Sequence, residues 1–449
     1  MDIFIGSRKS ILLRILFIFL CFFLTSTGYL AWLYHMIDMA TEGIPELLAM
    51  GMGYFCQTVG IVIFSMMAQK RLDWISRKTF ILTLALYHIG LLPSIFARDL
   101  IMTAVLGGLA NVICGIIAGF YLYDLSRMES KHKALIFGIA YGLGSIASWI
   151  LSSITNSTVY QGLNVVWICL ALVLGIIFIL FQFHFSEGSL VEQENTLSDR
   201  NMIMTACAVV FLFSIVNQVG FSFPSSDISG GVSLELSRLF YAAGLVIAGI
   251  IHDKNRKYGA IMTLAALMFP FIMLNLQKEL VSSSILWALS YFVSGFFSIY
   301  RIVLFLDLAK QKNLWFLSGF GLLFGRLGES LGTVICSFTA NHMILLVMIA
   351  GMLYAGSVIL FFRLFQKTYI TSVEDDQQLR FQQFVAKHDL SPREKEILSM
   401  LLAKDTTASM AEQLFVSAST VKFHIHNLLQ KTGCKNRKEL TELFYSNQK

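Results

Sequence analysis

Apolar stretches about 20 residues long run through most of the chain, and a helix of that length is what a hydrocarbon layer about 30 Å thick requires. Twelve can be counted. The first six are Ile11–Leu33, Glu46–Ala68, Phe80–Ala97, Leu100–Asp124, Ala134–Thr155 and Leu163–Phe185. The second six are Met202–Pro224, Val232–His252, Tyr258–Leu276, Ser283–Leu308, Leu314–Phe338 and Met343–Phe365. Backbone groups without water must pair within their own segment, so each stretch is expected to be a helix. Composition agrees: 56% of the residues are hydrophobic and 14% charged, against about 25% charged in soluble domains. Disorder, collagen, a coiled coil and a small disulfide scaffold are excluded. Six of the seven cysteines lie inside apolar runs and Cys434 in a polar tail, so they read as small core hydrophobes in a reducing compartment. The first stretch, flanked by Arg8, Lys9 and Arg14, is too long for a cleavable leader and is expected to be retained.

Lysine and arginine in the short loops set the orientation. Sixteen fall on one side, in the groups Arg8 to Arg14, Lys70 to Lys78, Arg127 to Lys133, Arg200, Lys254 to Lys257, and Lys310 with Lys312. The other side carries Arg98 and Lys278. Both termini are therefore expected in the cytoplasm, as an even number of spans requires.

Two six-helix halves are expected, residues 1–185 and 202–365, joined by an acidic cytoplasmic loop at 186–201. After the second span of each half the loop repeats a pattern. The first copy runs from Gln69 through Asp73 and Ser76 to Lys78, and the second from Gly249 through Asp253 and Arg256 to Lys257. These loops resemble the G-x-x-x-D-R-x-G-R-R loop of major facilitator transporters, at the two places where that superfamily carries it. Gln69, Ser76 and Arg256 stand where glycines are usual. The resemblance implies parallel six-helix repeats with a ligand site at their junction. Gly138, Gly142 and Gly144 match that family's glycine-rich fifth helix and equally suit close packing by small residues.

Ionisable side chains at membrane depth are costly and tend to face a bundle interior or a wet cavity. In the second half, Glu235 with Arg238 and Arg326 with Glu329 are spaced by three, which allows local ion pairs. Arg301 has no opposite charge within a turn, so it is expected to meet an anionic ligand or a carboxylate on another helix. Arg301, Arg326, Glu329, Asn217 and Gln218 are the candidate ligand-binding residues. Aromatic residues within the spans, among them Trp149, Trp167, Trp287, Tyr141, Tyr291 and Tyr300, suit interfacial belts, packing or a pocket for a planar ligand.

Composition changes abruptly after Phe365. Residues 366–387 read as a polar linker, and 388–449 as a small domain of four short helices. Ser391, Pro392 and Glu394 form a capping box ahead of an apolar stripe of Ile397, Leu398, Leu401 and Leu402. Thr406 caps a second helix with Met410, Ala411 and Leu414 inward. Ser417 caps a third, where Val421, Ile425 and Leu428 recur at helical spacing; Leu440, Leu443 and Phe444 mark a fourth. Short helix, tight turn, short helix is the helix-turn-helix layout.

This segment resembles the DNA-binding domain of LuxR-type transcription regulators. Leu390 to Glu394, Glu396 to Leu398, Met410, Ala411, Leu414, Ser417, Thr420 to Lys422, His424, Lys431, Gly433, Asn436 and Arg437 carry the resemblance. Lys404, Ser409 and Thr432 depart from it, where glycine, glutamate and leucine are usual. With Val421, Ile425 and Leu428 inward, the third helix presents Ser419, Lys422, Phe423, His426, Asn427 and Gln430 to the major groove of double-stranded DNA. Thr420, Lys431, Lys435 and Arg437 are placed for phosphates. From Arg380 to Lys449, 11 Lys and Arg stand against 7 Asp and Glu, a net charge of +4 that suits such a partner.

The fold class expected is thus all-α: a twelve-helix, major-facilitator-like membrane bundle with a small four-helix helix-turn-helix domain. The function expected is transcription regulation from the bacterial inner membrane. The bundle would sense an unidentified small molecule, and the tail would bind promoter DNA as a homodimer. The alternative is a secondary transporter with an autoregulatory tail. The sequence carries no G-x-x-x-x-G-K-[ST] loop, H-E-x-x-H motif or Cys/His metal cluster, so no enzyme, metal or cofactor is expected.

Overall fold

In the computed structural model the described residues are 2–39, 46–155, 163–182, 197–220, 234–273, 280–312, 314–339, 342–371, 381–382, 384–403 and 405–446. They form two compact units, Met1–Phe365 and Gln366–Lys449, and no strand occurs among them.

Helices occupy all twelve apolar stretches. In the first half they are α1 (Asp2–Met39), α2 (Glu46–Lys70), α3 (Arg77–Phe96), α4 (Leu100–Arg127), α5 (Lys133–Thr155) and α6 (Leu163–Leu180). In the second they are α7 (Leu197–Gly220), α8 (Leu234–Lys254), α9 (Arg256–Ala266) with α10 (Phe269–Met273), α11 (Leu280–Gln311), α12 (Phe320–Thr339) and α13 (Met343–Phe365). Among the described residues seven helices are long and apolar enough to cross a membrane, those of α1 to α4, α7, α11 and α13. Two of the remaining stretches carry visible interruptions. Pro270 has no amide proton and crowds the carbonyl four residues earlier, which breaks the ninth stretch at Leu267 and Met268. Arg326, Glu329 and four glycines dilute α12. The chain is an all-α membrane bundle followed by a small helical domain. The loop 186–201 lies largely outside the described residues, as do the side chains of Glu235, Arg238 and Trp149.

Polar side chains fix where the connections end. Ser76 caps α3 by accepting from the Thr79 amide, Asp99 caps α4 at 2.9 Å from the Met102 amide, and Asn255 caps α9. In the first half α2 and α3 pack on α4 while α1 lies along α5 and α6; in the second, α7 packs on α12 and α13 and α8 on α11. The halves meet where α5 runs along α8 and α2 along α12.

Glycine sets how closely these helices approach. A Cβ on Gly138 of α5 would sit 2.6 Å from the Leu245 carbonyl oxygen of α8, and one on Gly244 of α8 would sit 2.0 Å from the Phe292 carbonyl oxygen of α11. Backbones at this separation admit no side chain, and apolar helices in lipid associate through such close packing.

The two repeated loops differ in what they hold. Asp253 accepts from the backbone amides of Ala134 (3.1 Å) and Leu135 (2.8 Å), so a carboxylate of the second half closes the first turn of α5 in the first half. Arg256 donates to Asp253 (2.9 Å), Asp307 (2.7 Å) and the His252 carbonyl (2.7 Å). In the first copy Asp73 pairs with Arg71, at 3.4 Å on an exposed surface. At the same end Arg14 of α1 pairs with Asp124 of α4 at 2.8 Å, and the Arg127 guanidinium lies 4.6 Å over Trp315.

The second unit has its own core. It comprises α14 (Pro392–Leu402), α15 (Thr407–Gln413), α16 (Ala418–Thr432) and α17 (Arg437–Ser446). Ser391 and Glu394 form a complete capping box, and Thr406 and Ser417 cap the next two helices. Gly433 ends α16 at φ 72°, a left-handed conformation that glycine adopts without strain. Ile397, Leu398, Leu401, Met410, Val421, Ile425, Leu428 and Leu440 are buried together. Thr432, in place of the usual leucine, is also buried and donates to the Leu428 carbonyl at 2.8 Å. Phe384 joins this core, its ring 5.3 Å from Phe444, so the folded unit begins upstream of the linker boundary at 387. The polar surroundings of Phe384 in sequence hide an anchor that only the folded partner defines.

One polar link ties α14 to α16. Lys431 donates to Glu394 Oε2 (2.8 Å) and to the Asp389 carbonyl (2.8 Å). Burial pushes the Glu394 carboxyl up, but the Lys431 hydrogen bond and those from Ser391 outweigh it and leave the group below its ordinary value.

Two outcomes follow. Gly244→Ala should lower the thermal stability of the detergent-solubilised protein by about 1–3 kcal/mol or more, while Gly351→Ala and Gly356→Ala, with nothing within 4 Å of a new Cβ, should leave it unchanged. Equal melting of all three would mean that α8 and α11 do not depend on their close approach. The second concerns acid. A carboxyl with a lowered folded-state value stabilises above the unfolded value of about 4.3 and loses that contribution as pH falls through the lower one. For a fragment spanning Gln366–Lys449, Glu394→Gln should cost about 1–2 kcal/mol at neutral pH, since Lys431 is partly exposed. That difference should shrink below about pH 4; denaturant titrations across pH that kept it constant would contradict the link.

Candidate functional sites

The exposed face of α16 is built by the helix period. Val421, Ile425 and Leu428 point into the core, which leaves Ser419, Lys422, Phe423, His426 and Gln430 exposed on the other side. Phe423 is 60% exposed, an unusual cost for an aromatic ring in water. Thr420 and Asn427 are half-buried at its edges, and Thr420 also hydrogen-bonds Ser417 at 2.8 Å between hydroxyls. Lys435 is exposed just beyond the helix. Lys431 is held by Glu394 and Asp389, and Arg437 donates to Thr407 Oγ1 at 2.6 Å, tying α17 to α15. These two cations thus also brace the helices behind α16. Phe415, 95% exposed in the turn between α15 and α16, has φ 53°, a left-handed backbone that a bulky residue adopts at a cost.

In the membrane unit a cavity of about 250 Å³ opens between the halves. Thr25 and Tyr29 of α1, Tyr54 and Gln57 of α2, and Cys114 and Tyr121 of α4 line one side. Tyr141 and Ser145 of α5, Tyr241 of α8, Tyr291 of α11 and Arg326 of α12 line the rest. Gln57 donates to Asn111 at 3.1 Å, and Asn111 to the Gly107 carbonyl at 2.9 Å, so the amides are fixed. The hydroxyls of Tyr121 and Tyr141 are 2.7 Å apart, and Tyr241 donates to Ser298 at 2.9 Å.

Behind this wall Glu329 lies between two guanidiniums. Arg301 of α11 donates to its Oε1, and Arg326 to its Oε2 at 2.7 Å. Arg301 therefore meets a carboxylate on another helix, one of the two partners expected of it, while Arg326 also keeps the local pair that its spacing suggested. Of the three, Arg326 faces the cavity, with its guanidinium 4.5 Å over the Tyr54 ring. Asn217 and Gln218 of α7 are half-buried and do not line the cavity; Gln218 packs against Gly332 of α12.

Tyr29, Tyr54, Gln57 and Tyr121 were not singled out in the sequence. A signal was present: Tyr54, Gln57 and Ile61, like Tyr141, Ser145 and Ser148, share one face at helical spacing in otherwise apolar helices.

Comparison with known proteins separates the two units. Residues 388–444 match the family described as bacterial regulatory proteins, luxR family. The spore germination protein GerE of Bacillus subtilis is 38% identical over 61 residues, which are 14% of this chain and 82% of that protein. The CsgBAC operon transcriptional regulatory protein of Escherichia coli is 46% identical over 48 residues, 11% of this chain and 22% of that protein. A probable csgAB operon transcriptional regulatory protein of Salmonella typhimurium matches to the same extent. The chain thus spans under a quarter of the length of these last two. The crystal structure of the human organic anion transporter MFSD10 (TETRAN) superposes over 80% of this chain and 98% of its own, with a TM-score of 0.57 and 13% identity, a likeness of fold. A helical membrane bundle that shares its fold with that structure is therefore joined to a regulator domain of the luxR type, and through that domain the chain belongs to the luxR family of bacterial regulatory proteins.

Proposed function

We propose that the protein regulates transcription from the bacterial inner membrane: the bundle binds a small molecule, and the C-terminal domain, on the cytoplasmic side, binds promoter DNA as a dimer. The observation that carries this reading is the exposed face of α16, where Lys422, Phe423 and His426 lie together while the apolar face is fully used by the core. Lys422 and His426 donate to base edges, Phe423 meets a thymine methyl, and Ser419, Asn427 and Gln430 extend the contact along the groove. Thr420, Lys435, Lys431 and Arg437 face phosphates, the last two while also bracing the domain. The bias of basic loops toward one side supports the cytoplasmic placement.

A ligand at the junction of two halves biases the packing between them, and that bias is the signal. The dimer contact is assigned to α17. Leu440 is only 1% exposed and belongs to the domain core, so it holds the domain together; Lys438, Glu439, Glu442 and Tyr445 are exposed on that helix.

The second reading, a transporter with an autoregulatory tail, is favoured by the fold neighbour, an organic anion transporter. Against a proton-driven cycle, no carboxylate lines the cavity among the described residues, and Glu329 is shared by two arginines.

Genome-wide mapping of DNA bound by the intact protein should give discrete peaks that vanish in Lys422→Ala, with operator affinity reduced by about 1–3 kcal/mol in vitro. Featureless profiles for both proteins would remove the DNA-reading function. Saturable, energy-dependent uptake into vesicles would favour the transporter. Tyr445→Glu should abolish cooperative binding to paired half-sites and spare the melting temperature of the domain; cooperativity unchanged in that variant would place the dimer contact elsewhere.

A further inference from the structure

Among the described residues, this site of the membrane unit holds one positive charge more than its carboxylate neutralises. Arg301 and Glu329 are 5% and 7% exposed, and the Arg326 side chain, the more open of the two arginines, is 19% exposed. The two guanidiniums share the single carboxylate of Glu329, and Nε of each has no hydrogen-bond partner. The remaining support is aromatic: Arg301 lies 5.2 Å from the Phe297 ring centre and Arg326 4.5 Å from that of Tyr54. Ring faces attract a cation but carry no net charge. An uncompensated charge in a low-dielectric interior is unfavourable by several kcal/mol unless water or a counter-ion reaches it. Arg326 borders a cavity from which an anion can do so.

The wall around Arg326 narrows the class of that anion. Six tyrosines, Tyr29, Tyr54, Tyr121, Tyr141, Tyr241 and Tyr291, line the cavity. Tyr29 and Tyr54 stack at 5.8 Å with their planes within 16°, and Phe22 backs Tyr141 at 4.0 Å. Such a surface suits an aromatic ring with polar substituents better than a hydrated inorganic ion. An apolar cavity of about 150 Å³ accommodates benzene, so about 250 Å³ holds one ring with a short charged arm.

We infer that the cavity takes a small planar monoanion, an aromatic carboxylate of one ring and a short arm, with its charge on Arg326 and its ring among the tyrosines. Arg326 belongs to the second half, and Tyr29, Tyr54, Tyr121 and Tyr141 to the first, so such a ligand bridges the halves. This rests on the reading of the bundle as a small-molecule sensor and names what it senses. Glu329 sets the affinity: it leaves Arg326 half-neutralised and thus available to a second anion.

The test uses the full-length protein in detergent, with 4-hydroxycinnamate as probe beside its neutral amide, cyclohexanecarboxylate and chloride. Calorimetric titration should show saturable binding of 4-hydroxycinnamate and markedly weaker binding of the other three. Arg326→Gln leaves Arg301 and Glu329 as a one-to-one pair, and binding should fall about ten- to hundredfold, the loss of one charge-assisted hydrogen bond. Glu329→Gln raises the local charge and should tighten binding. A purely structural role for the triad would not move the two variants in opposite directions. Where Glu329→Gln does not fold, Arg326→Lys serves: it keeps the charge but not the planar fork, and should bind between wild type and Arg326→Gln. No saturable binding, equal binding of acid and amide, binding of chloride alone, or wild-type affinity in Arg326→Gln would each overturn the inference. Promoter binding by the same preparations separates this from the sensor reading. Probe binding that leaves DNA occupancy unchanged removes sensing and keeps the ligand class, whereas a promoter response to other molecules that persists in Arg326→Gln does the reverse.

Discussion

Backbone amides and carbonyls that cannot reach water must find each other, and this requirement shapes the larger unit more than any side chain does. It makes every apolar stretch helical and removes the hydrophobic effect as a force between helices. What remains to decide the packing is how closely two backbones can come. Gly138 and Gly244 settle that along α5, α8 and α11, where carbonyl oxygens occupy the space a methyl group would need. The cavity is the complement of this packing. It lies where tyrosines of α1, α2, α4 and α5 converge between the halves.

The small domain follows opposite rules on the same chain. In water, its four helices depend on an apolar stripe each and on local caps: the Ser391–Glu394 box, Thr406 and Ser417. Because Val421, Ile425 and Leu428 are consumed by the core, the outward face of α16 is free of folding constraints, and its residues are available for recognition.

Legibility followed distance along the chain. Spans, caps and the helix-turn-helix pattern depend on neighbours within about a turn or on length, so the sequence displays them. Contacts across helices do not show in this way. Arg301 had two possible partners until the fold placed Glu329, 28 residues away, against it. Lys431 reads as a phosphate ligand because Glu394, 37 residues earlier, is invisible as its partner. Asn217 and Gln218 drew notice as polar groups in an apolar run, yet neither lines the cavity, and Gln218 packs against Gly332 of α12. Tyr29, Tyr54 and Tyr121 passed as ordinary membrane aromatics, since only the meeting of four helices turns their faces toward one space. Pro270 was in plain sight, but a reading by length alone does not register a break within a stretch.

Asp253 belongs to the second half but completes a helix terminus in the first. A hydrogen bond of this kind tolerates only a few tenths of an ångström before it weakens steeply. Sliding one half past the other therefore has no graded middle: either both amides of α5 keep their acceptor, or the end of that helix must be resolvated at once. The shared terminus acts as a detent, a mechanical stop that turns a continuous rocking of two bodies into a choice between positions.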